Sequence, residues 1–326
     1  MTIDSNSRYR VLITCPQMQR SFELYRPMFD AAGIAVDMPN LVQQLSEEEL
    51  LEIIGEYDGM IAGDDPVTAR VLAQAERIQI ISKWGVGTDN VDLEAALAFG
   101  IPVKNMPGSF GSEVADVTIG YLIMLARQLH KIDSAVRDGQ WPKIQGRSLS
   151  GKTLGILGLG SIGFSVARRA LAMDMHVVGY DVMEGAHARA KASGVEVGDL
   201  GAVLGQSDFL ALCCPLTDDT RHVINRRTLG LMKQGVSIIN TARGALIDES
   251  ALVKALQSGK VRSAALDVFE EEPLPLLSTL RRFDQVIFGA HNSSNTLEGT
   301  LRVNELAIQH LFDGLGCAVP EEGHAR

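Results

Sequence analysis

The chain has 326 residues, 46% of them hydrophobic, and a formal net charge of −10. That apolar share excludes a disordered chain, and the length suffices for two domains with separate cores. The acidic balance argues against a nucleic-acid or anionic-membrane surface, while leaving room for local basic pockets that take small anions.

The first hundred residues alternate strand and helix signals. Arg10 to Thr14 reads as a strand, and a helix over about residues 19–32 ends at Gly33. Ser46-Glu-Glu-Glu49 is a capping box that opens a short helix. Tyr57 to Ala62 and Ile78 to Ser82 read as strands, with a helix between them that starts near Pro66. This pattern is a small α/β unit with a parallel sheet. Residues 112–130 read as one helix that is apolar nearly all round. Val114, Val117, Tyr121, Leu125 and Leu129 mark one face, and Ile119, Leu122, Ile123 and Met124 fill much of the rest. Such a helix is buried on several sides. It marks a domain junction and a subunit interface, so a homodimer is expected.

Residues 152–291 give a doubly wound pattern, with strands expected at 153–157, 175–180, 208–213, 235–240, 261–266 and 286–290. A last amphipathic helix over 296–314 is expected to return to the first domain, because the short polar tail after it, with His324, cannot fold alone. The first domain is then discontinuous, 1–104 with 296–326, and the second spans 105–295. The most apolar stretch, Val117 to Ala126, is too short to span a bilayer. There is no signal-peptide pattern, and Cys15, Cys213, Cys214 and Cys317 show neither CxxC nor zinc spacing. They read as small buried hydrophobes in a reducing cytoplasm, with no metal expected.

The strongest motif follows the apolar run that begins at Thr153: Gly158-Leu-Gly160-Ser161-Ile162-Gly163. Gly158 permits a tight strand-to-helix turn. Gly160 has no Cβ, so backbone can approach a pyrophosphate, and Gly163 lets the helix pack close. The N–H groups and positive dipole end of that helix attract phosphates. Asp181 closes the next strand, where it can accept from ribose hydroxyls and repel a 2′-phosphate. With Val182, Met183 and Glu184 following and no Arg, the reading favours NAD over NADP.

In doubly wound sheets ligands bind beyond the carboxyl ends of the strands. Asn240-Thr241-Ala-Arg243-Gly244, Asp267-Val-Phe-Glu270-Glu271-Glu272-Pro273 and His291-Asn-Ser-Ser-Asn-Thr296 each follow a strand-like run. A cation, a carboxylate and a titratable ring thus share an edge with the glycine turn. Of the seven histidines, only His291 combines a strand end with polar flanks at that face.

At these residues the chain resembles the NAD-dependent D-2-hydroxyacid dehydrogenases, in particular short phosphoglycerate-dehydrogenase-like members. The likeness runs from about residue 57 to about 310. It includes Lys83-Trp-Gly-Val-Gly-Thr-Asp-Asn-Val-Asp-Leu93, Asn105-Met-Pro107, Val114-Ala-Asp116, Gly151 to Gly160, Cys214-Pro-Leu-Thr217, Asn240 to Gly244, Ala265-Leu-Asp-Val-Phe269 and His291. It implies two Rossmann-like domains, a flavodoxin-like substrate domain and a doubly wound NAD-binding domain. It implies interconversion of a D-2-hydroxy acid and its 2-oxo acid, with glyoxylate or hydroxypyruvate as possible substrates.

By the same resemblance Arg243, Glu272 and His291 match the catalytic set. Val86 and Gly87, with Arg243, match the substrate-carboxylate site. Asp267 matches the residue that bonds the nicotinamide carboxamide, and Cys214, Pro215 and Thr241 join the glycine-turn residues along the cofactor. Chemically, Arg243 can neutralise a carboxylate and polarise a carbonyl. His291 can give and take a proton, and a paired Glu272 would orient it and favour its charged form. A cleft closing between the domains would exclude water.

Some features depart from the family pattern. Asn-Ser-Ser-Asn-Thr follows His291, Cys stands at 213, and Gly63-Asp64-Asp65-Pro66 places two carboxylates where phosphoglycerate-specific members often carry an Arg. A rival reading is a catalytically weak, NAD-sensing binding protein of the same fold. Formate and phosphite oxidation are disfavoured, because relatives with those activities usually carry Gln where Glu272 stands or Lys where Val86 stands.

Overall fold

In the computed structural model, which describes residues 7–318, the apolar runs form two separate parallel sheets. The chain divides into two units. One comprises the residues up to Ser109 together with those from Asn295 on, and the other comprises Phe110–Ser294. The division falls five residues later than the 104/105 boundary read from sequence. The Met106 N–H donates to Gly85 O (2.9 Å), which keeps residues 105–109 with the first unit. The tail carrying His324 lies outside the described residues.

The first unit runs β1 (Tyr9–Ile13), α1 (Pro16–Ser21), α2 (Arg26–Ala31), β2 (Ile34–Asp37), α3 (Glu47–Ile53), β3 (Gly59–Ala62), α4 (Ala69–Gln74), β4 (Ile80–Lys83), α5 (Leu93–Ala98) and β5 (Val103–Lys104). Its sheet order is β2-β1-β3-β4-β5. The single helix expected over 19–32 is in fact two, separated by a short 3-10 turn. Pro27 sits in the first turn of α2, where its missing N–H costs nothing. The Ser46/Glu49 capping box is formed in both directions.

The second unit runs α6 (Gly111–Arg127), α7 (Leu129–Arg137), β6 (Thr153–Leu157), α8 (Ser161–Leu171), β7 (His176–Tyr180), α9 (Glu184–Ala192), β8 (Glu196–Val197), α10 (Leu200–Gln206), β9 (Phe209–Leu212), α11 (Arg226–Leu231), β10 (Val236–Asn240), α12 (Glu249–Gln257), β11 (Val261–Leu266) and β12 (Val286–Phe288). Its sheet order is β12-β11-β10-β9-β6-β7-β8. Residues of α6 and α8 pack on one face with Ile156, Ala211 and Ile239, and residues of α10 to α12 pack on the other with Leu157, Leu212 and Ile238. The helix expected over 112–130 stops at Gln128, which takes a left-handed φ of 55°, and α7 starts anew. Nor is α6 buried on several sides. Val114, Ala115, Thr118, Leu122 and Leu125 are buried, whereas Ile119, Tyr121, Ile123 and Met124 are only half-buried.

The chain then re-enters the first unit as α13 (Leu297–Gly314), which packs on β3 and β4. A Cβ at Gly59 would lie 2.8 Å from Leu311, and one at Gly314 would lie 2.4 Å from Ile80, so helix and sheet touch closely. Asn304, fully buried, accepts from Trp84 Nε1 (2.7 Å) and donates to Ser21 Oγ (2.8 Å). Buried amides are kept only when paired, and these two bonds fix the rotation of α13.

Candidate active site

The glycine turn lies between β6 and α8, and each glycine there meets a different constraint. Gly158 has φ +94°, and a Cβ on it would lie 2.6 Å from Cys214 N. A Cβ on Gly163 would lie 1.9 Å from Gly158 O, so α8 sits directly on the turn. Gly160 faces open space with nothing within 4 Å, which is room for a phosphate. It caps α8 without a side chain, ahead of exposed Ser161 and half-buried Ile162.

Asp181 follows β7 directly. One carboxylate oxygen accepts the Leu159 N–H (2.6 Å), and the other accepts the Met183 N–H (2.8 Å). Arg189 donates to Leu159 O (2.8 Å). Asp181 thus anchors the glycine turn. Cys214, beside Gly158, is half-buried, and burial pushes its thiol up to about 11. Pro215 is exposed. The Thr241 hydroxyl lies 2.8 Å from that of Thr118 on α6 in a buried pair.

Arg243, Glu272 and His291 follow β10, β11 and the β12 segment. Asn240 shapes the first turn by accepting the Ala242 N–H (3.1 Å) and donating to Arg243 O (2.8 Å). The half-buried Arg243 donates through Nη1 to Ala242 O (2.9 Å). Glu272 accepts the Phe269 N–H on Oε1 (2.8 Å) and meets His291 Nδ1 with Oε2 (2.7 Å). The His291 and Glu272 side chains are 25% and 21% exposed, so the pair is shielded but reachable. A proton on Nδ1 is fixed by that carboxylate, which makes Nε2 the nitrogen for exchange. His291 has φ +50°, an uncommon left-handed backbone that its N–H bond to Asp267 O (2.7 Å) sustains.

Asp267, 2% exposed, builds the floor beneath His291. Its Oδ2 accepts from the Ser293 N–H (2.9 Å) and hydroxyl, and its Oδ1 accepts from the Asn292 N–H (3.3 Å) and the Tyr121 hydroxyl (3.4 Å). A cavity of about 450 Å³ opens there, lined by Val117, Tyr121, Asp267, Phe288, Asn292 and Ser293 among others. Tyr121 was expected only as an apolar helix residue; its bond to Asp267 spans a long sequence separation that no local pattern shows.

In the first unit, Val86 and Gly87 are half-buried. Val86 O accepts from Asn105 Nδ2 (2.6 Å), and Gly85 ahead of it has φ +115°. Lys83, 2% exposed, donates to Trp84 O (3.0 Å) and lies 3.5 Å from an Asp64 oxygen. Gln43 Nε2 donates to the other Asp64 oxygen (3.1 Å). Asp65 is buried, takes N–H bonds from Leu45 and Gly63 and a hydroxyl bond from Thr14, and is pushed up by burial.

The open face at Gly160, the helix start behind it and the acidic residue after β7 fit a dinucleotide. Together with an Arg, a Glu–His pair and the parallel sheet, they define a nucleotide-dependent oxidoreductase of the Rossmann class. A profile described as D-isomer specific 2-hydroxyacid dehydrogenase, NAD binding domain, matches residues 119–293. Hydroxypyruvate reductase of Thermotoga maritima is 39% identical over 316 residues, which cover 95% of this chain and 99% of that protein. D-3-phosphoglycerate dehydrogenase of Methanocaldococcus jannaschii is 43% identical over 82% of this chain, and the chain spans about half (51%) of that longer relative. A crystal structure of D-lactate dehydrogenase from Aquifex aeolicus, complexed with NAD and lactic acid, superposes with a TM-score of 0.83 at 27% identity, covering 94% of this chain and 95% of that one. The chain belongs to the D-isomer specific 2-hydroxyacid dehydrogenase family. It is an NAD-dependent oxidoreductase that interconverts 2-hydroxy and 2-oxo acids.

Proposed function

We propose that His291, Glu272 and Arg243 are the catalytic side chains, acting on a small, unphosphorylated 2-oxo acid of the glyoxylate or hydroxypyruvate kind. The observation that carries this reading is the 2.7 Å contact between His291 Nδ1 and Glu272 Oε2. It joins a titratable ring to an orienting carboxylate, the arrangement general acid–base chemistry needs. NAD, when bound, supplies the hydride exchange. His291 gives its Nε2 proton to the substrate oxygen in reduction and takes it back in oxidation. Glu272 holds the ring and balances the imidazolium charge. Arg243 pairs with the carboxylate of the substrate and draws charge onto its carbonyl oxygen.

Val86 and Gly87 are assigned to that carboxylate through backbone N–H groups, and Asp267 to the nicotinamide carboxamide. Gly158, Gly160, Ser161, Ile162, Gly163, Asp181, Cys214, Pro215 and Thr241 are assigned to the dinucleotide. The test is His291→Ala. NADH fluorescence titration should show binding retained while kcat falls by about 10²-fold or more. Unchanged turnover refutes the role of His291.

The substrate class is supported by the sequence Gly63-Asp64-Asp65-Pro66, which puts two carboxylates and no Arg where phosphoglycerate-specific relatives often carry a phosphate-binding Arg. NADH oxidation should therefore be faster with glyoxylate or hydroxypyruvate than with 3-phosphohydroxypyruvate, and the reverse order refutes it. The proposed assembly is a cytoplasmic homodimer, supported by the half-buried outer face of α6 and the 77% exposure of Trp141 after α7. Among the described residues, no helix is long and apolar enough to cross a membrane. Light scattering that reports a monomer at micromolar concentration refutes the dimer.

A further inference from the structure

We infer that Glu249 is a positioning residue, which holds the turn bearing Glu272 where that carboxylate meets His291. The inference rests on the roles proposed above for Glu272 and His291. Glu249 is the first residue of α12 and touches no catalytic atom. Its Oε1 accepts the Glu270 N–H (2.9 Å). One residue earlier, the Phe269 N–H is held by Glu272 itself (2.8 Å). The two successive amides of the turn are thus fastened by two different carboxylates. Without Glu249 the only carboxylate holding an amide of the turn would be the one the turn is meant to present.

The turn also meets the Arg243 segment directly, since a Cβ on Gly244 would lie 1.8 Å from Phe269 C. His222 secures it from another side. Its Nε2 lies 2.7 Å from Glu270 Oε1, while its N–H donates to Ala245 O (2.8 Å), next to Gly244. That His222–Glu270 pair is substantially exposed, so it contributes little alone. Glu249 is better shielded. Burial, with Glu270, Glu272 and Glu271 nearby, pushes its carboxyl up, which also disfavours piling a further charge on the turn. The groups facing this region are Asp248, Glu249, Glu270, Glu271, Glu272 and the two imidazoles of His222 and His291.

The requirement at 249 is an acceptor at the right reach, not a charge. Glu249→Ala removes the acceptor, Glu249→Gln keeps it without the charge, and Glu249→Asp keeps the charge but withdraws it by one methylene. Expected for Glu249→Ala is a fall in kcat of about tenfold, the worth of one hydrogen bond, with the acid–base limb of the pH profile displaced and the NADH dissociation constant within about twofold of the parent. Glu249→Gln should keep parental kcat and pH limb, and Glu249→Asp should fall between, which keeps the test open if the alanine variant does not fold. Parental kcat and pH limb in a folded Glu249→Ala enzyme overturn the inference. So does a Glu249→Gln enzyme as impaired as Glu249→Ala, since charge alone would then be acting. Glu272→Gln run alongside separates the two levels. If it leaves turnover unchanged, the reading of the site falls; if it abolishes turnover while Glu249→Ala keeps the parental kcat and pH limb, only the inference about Glu249 falls.

Discussion

Gly244→Ala puts the proximity of two backbone turns to the test. The added Cβ would lie 1.8 Å from Phe269 C, 1.9 Å from Phe269 O and 2.5 Å from Glu270 N. Ordinary carbon contacts begin near ~3.5 Å, and every atom met here is main chain, so no side chain can swing aside. The Arg243 and Glu272 turns must therefore part by well over about 1 Å, a displacement of the size that costs about 10²-fold in a preorganised site. Overpacking of this kind costs roughly 1–3 kcal/mol of stability, which for a unit of this size lowers Tm by roughly 2–12 °C. Steady-state reduction of hydroxypyruvate, followed by NADH absorbance, gives the first quantity, and scanning calorimetry gives the second. NADH binding should survive, because the glycine turn at 158–163 is made by other strands. A Gly244→Ala enzyme with kcat/KM within about threefold of the parent and an unshifted Tm would refute the reasoning.

Asp181→Ala should weaken NADH more than NADPH, narrowing the preference by about tenfold or more. Both cofactors should lose something as well, because the carboxylate also ties Leu159 and Met183. Equal losses would show that Asp181 serves the turn alone. Asp64→Asn should raise kcat/KM for 3-phosphohydroxypyruvate relative to hydroxypyruvate by about tenfold, and a constant ratio counts against the charge argument. For Asp208, burial alone would raise the carboxyl, but the Thr153 N–H, Lys233 and Arg147 outweigh it and hold it below the usual range. A depressed carboxyl stabilises the fold above its ordinary pKa of about 3.9 and loses that contribution as pH falls through the folded value. Asp208→Asn should then cost about 1 kcal/mol at pH 7, a cost that shrinks as the pH falls through the lowered folded value, read as a gap in Tm that closes; a gap independent of pH would contradict it.

The glycine turn and Asp181 were legible because their constraints are local: a strand end, a positive φ, a helix start. Arg243, Glu272 and His291 were legible as strand-end polar residues, yet the acidic run alone does not choose among its members. The structure shows what separates them, with Glu270 paired to His222 and Glu272 to His291. What the sequence does not show is the partner of the Thr241 hydroxyl, since Thr118 is more than a hundred residues away. The edge strands β2, β5 and β8 span two to four residues and carry too little pattern to find. The break at Gln128 is a single left-handed residue in a pattern whose apolar positions continue past it at Leu129 and Ile132, so periodicity does not show it.

The return of α13 to the first sheet bears on how the polypeptide matures as it leaves the ribosome. Strands β3 and β4 are made before the second unit, yet Leu311 and the Asn304 side chain that cover and secure this region are made after it. All of Phe110–Ser294 is synthesised in between, an interval of roughly 10–40 s at about 5–20 residues per second. Throughout it the early sheet waits with one apolar side uncovered, and by its end the later unit has its whole sequence. Nascent-chain quality control would therefore meet an unfinished first unit beside a finished second one, the reverse of the usual order.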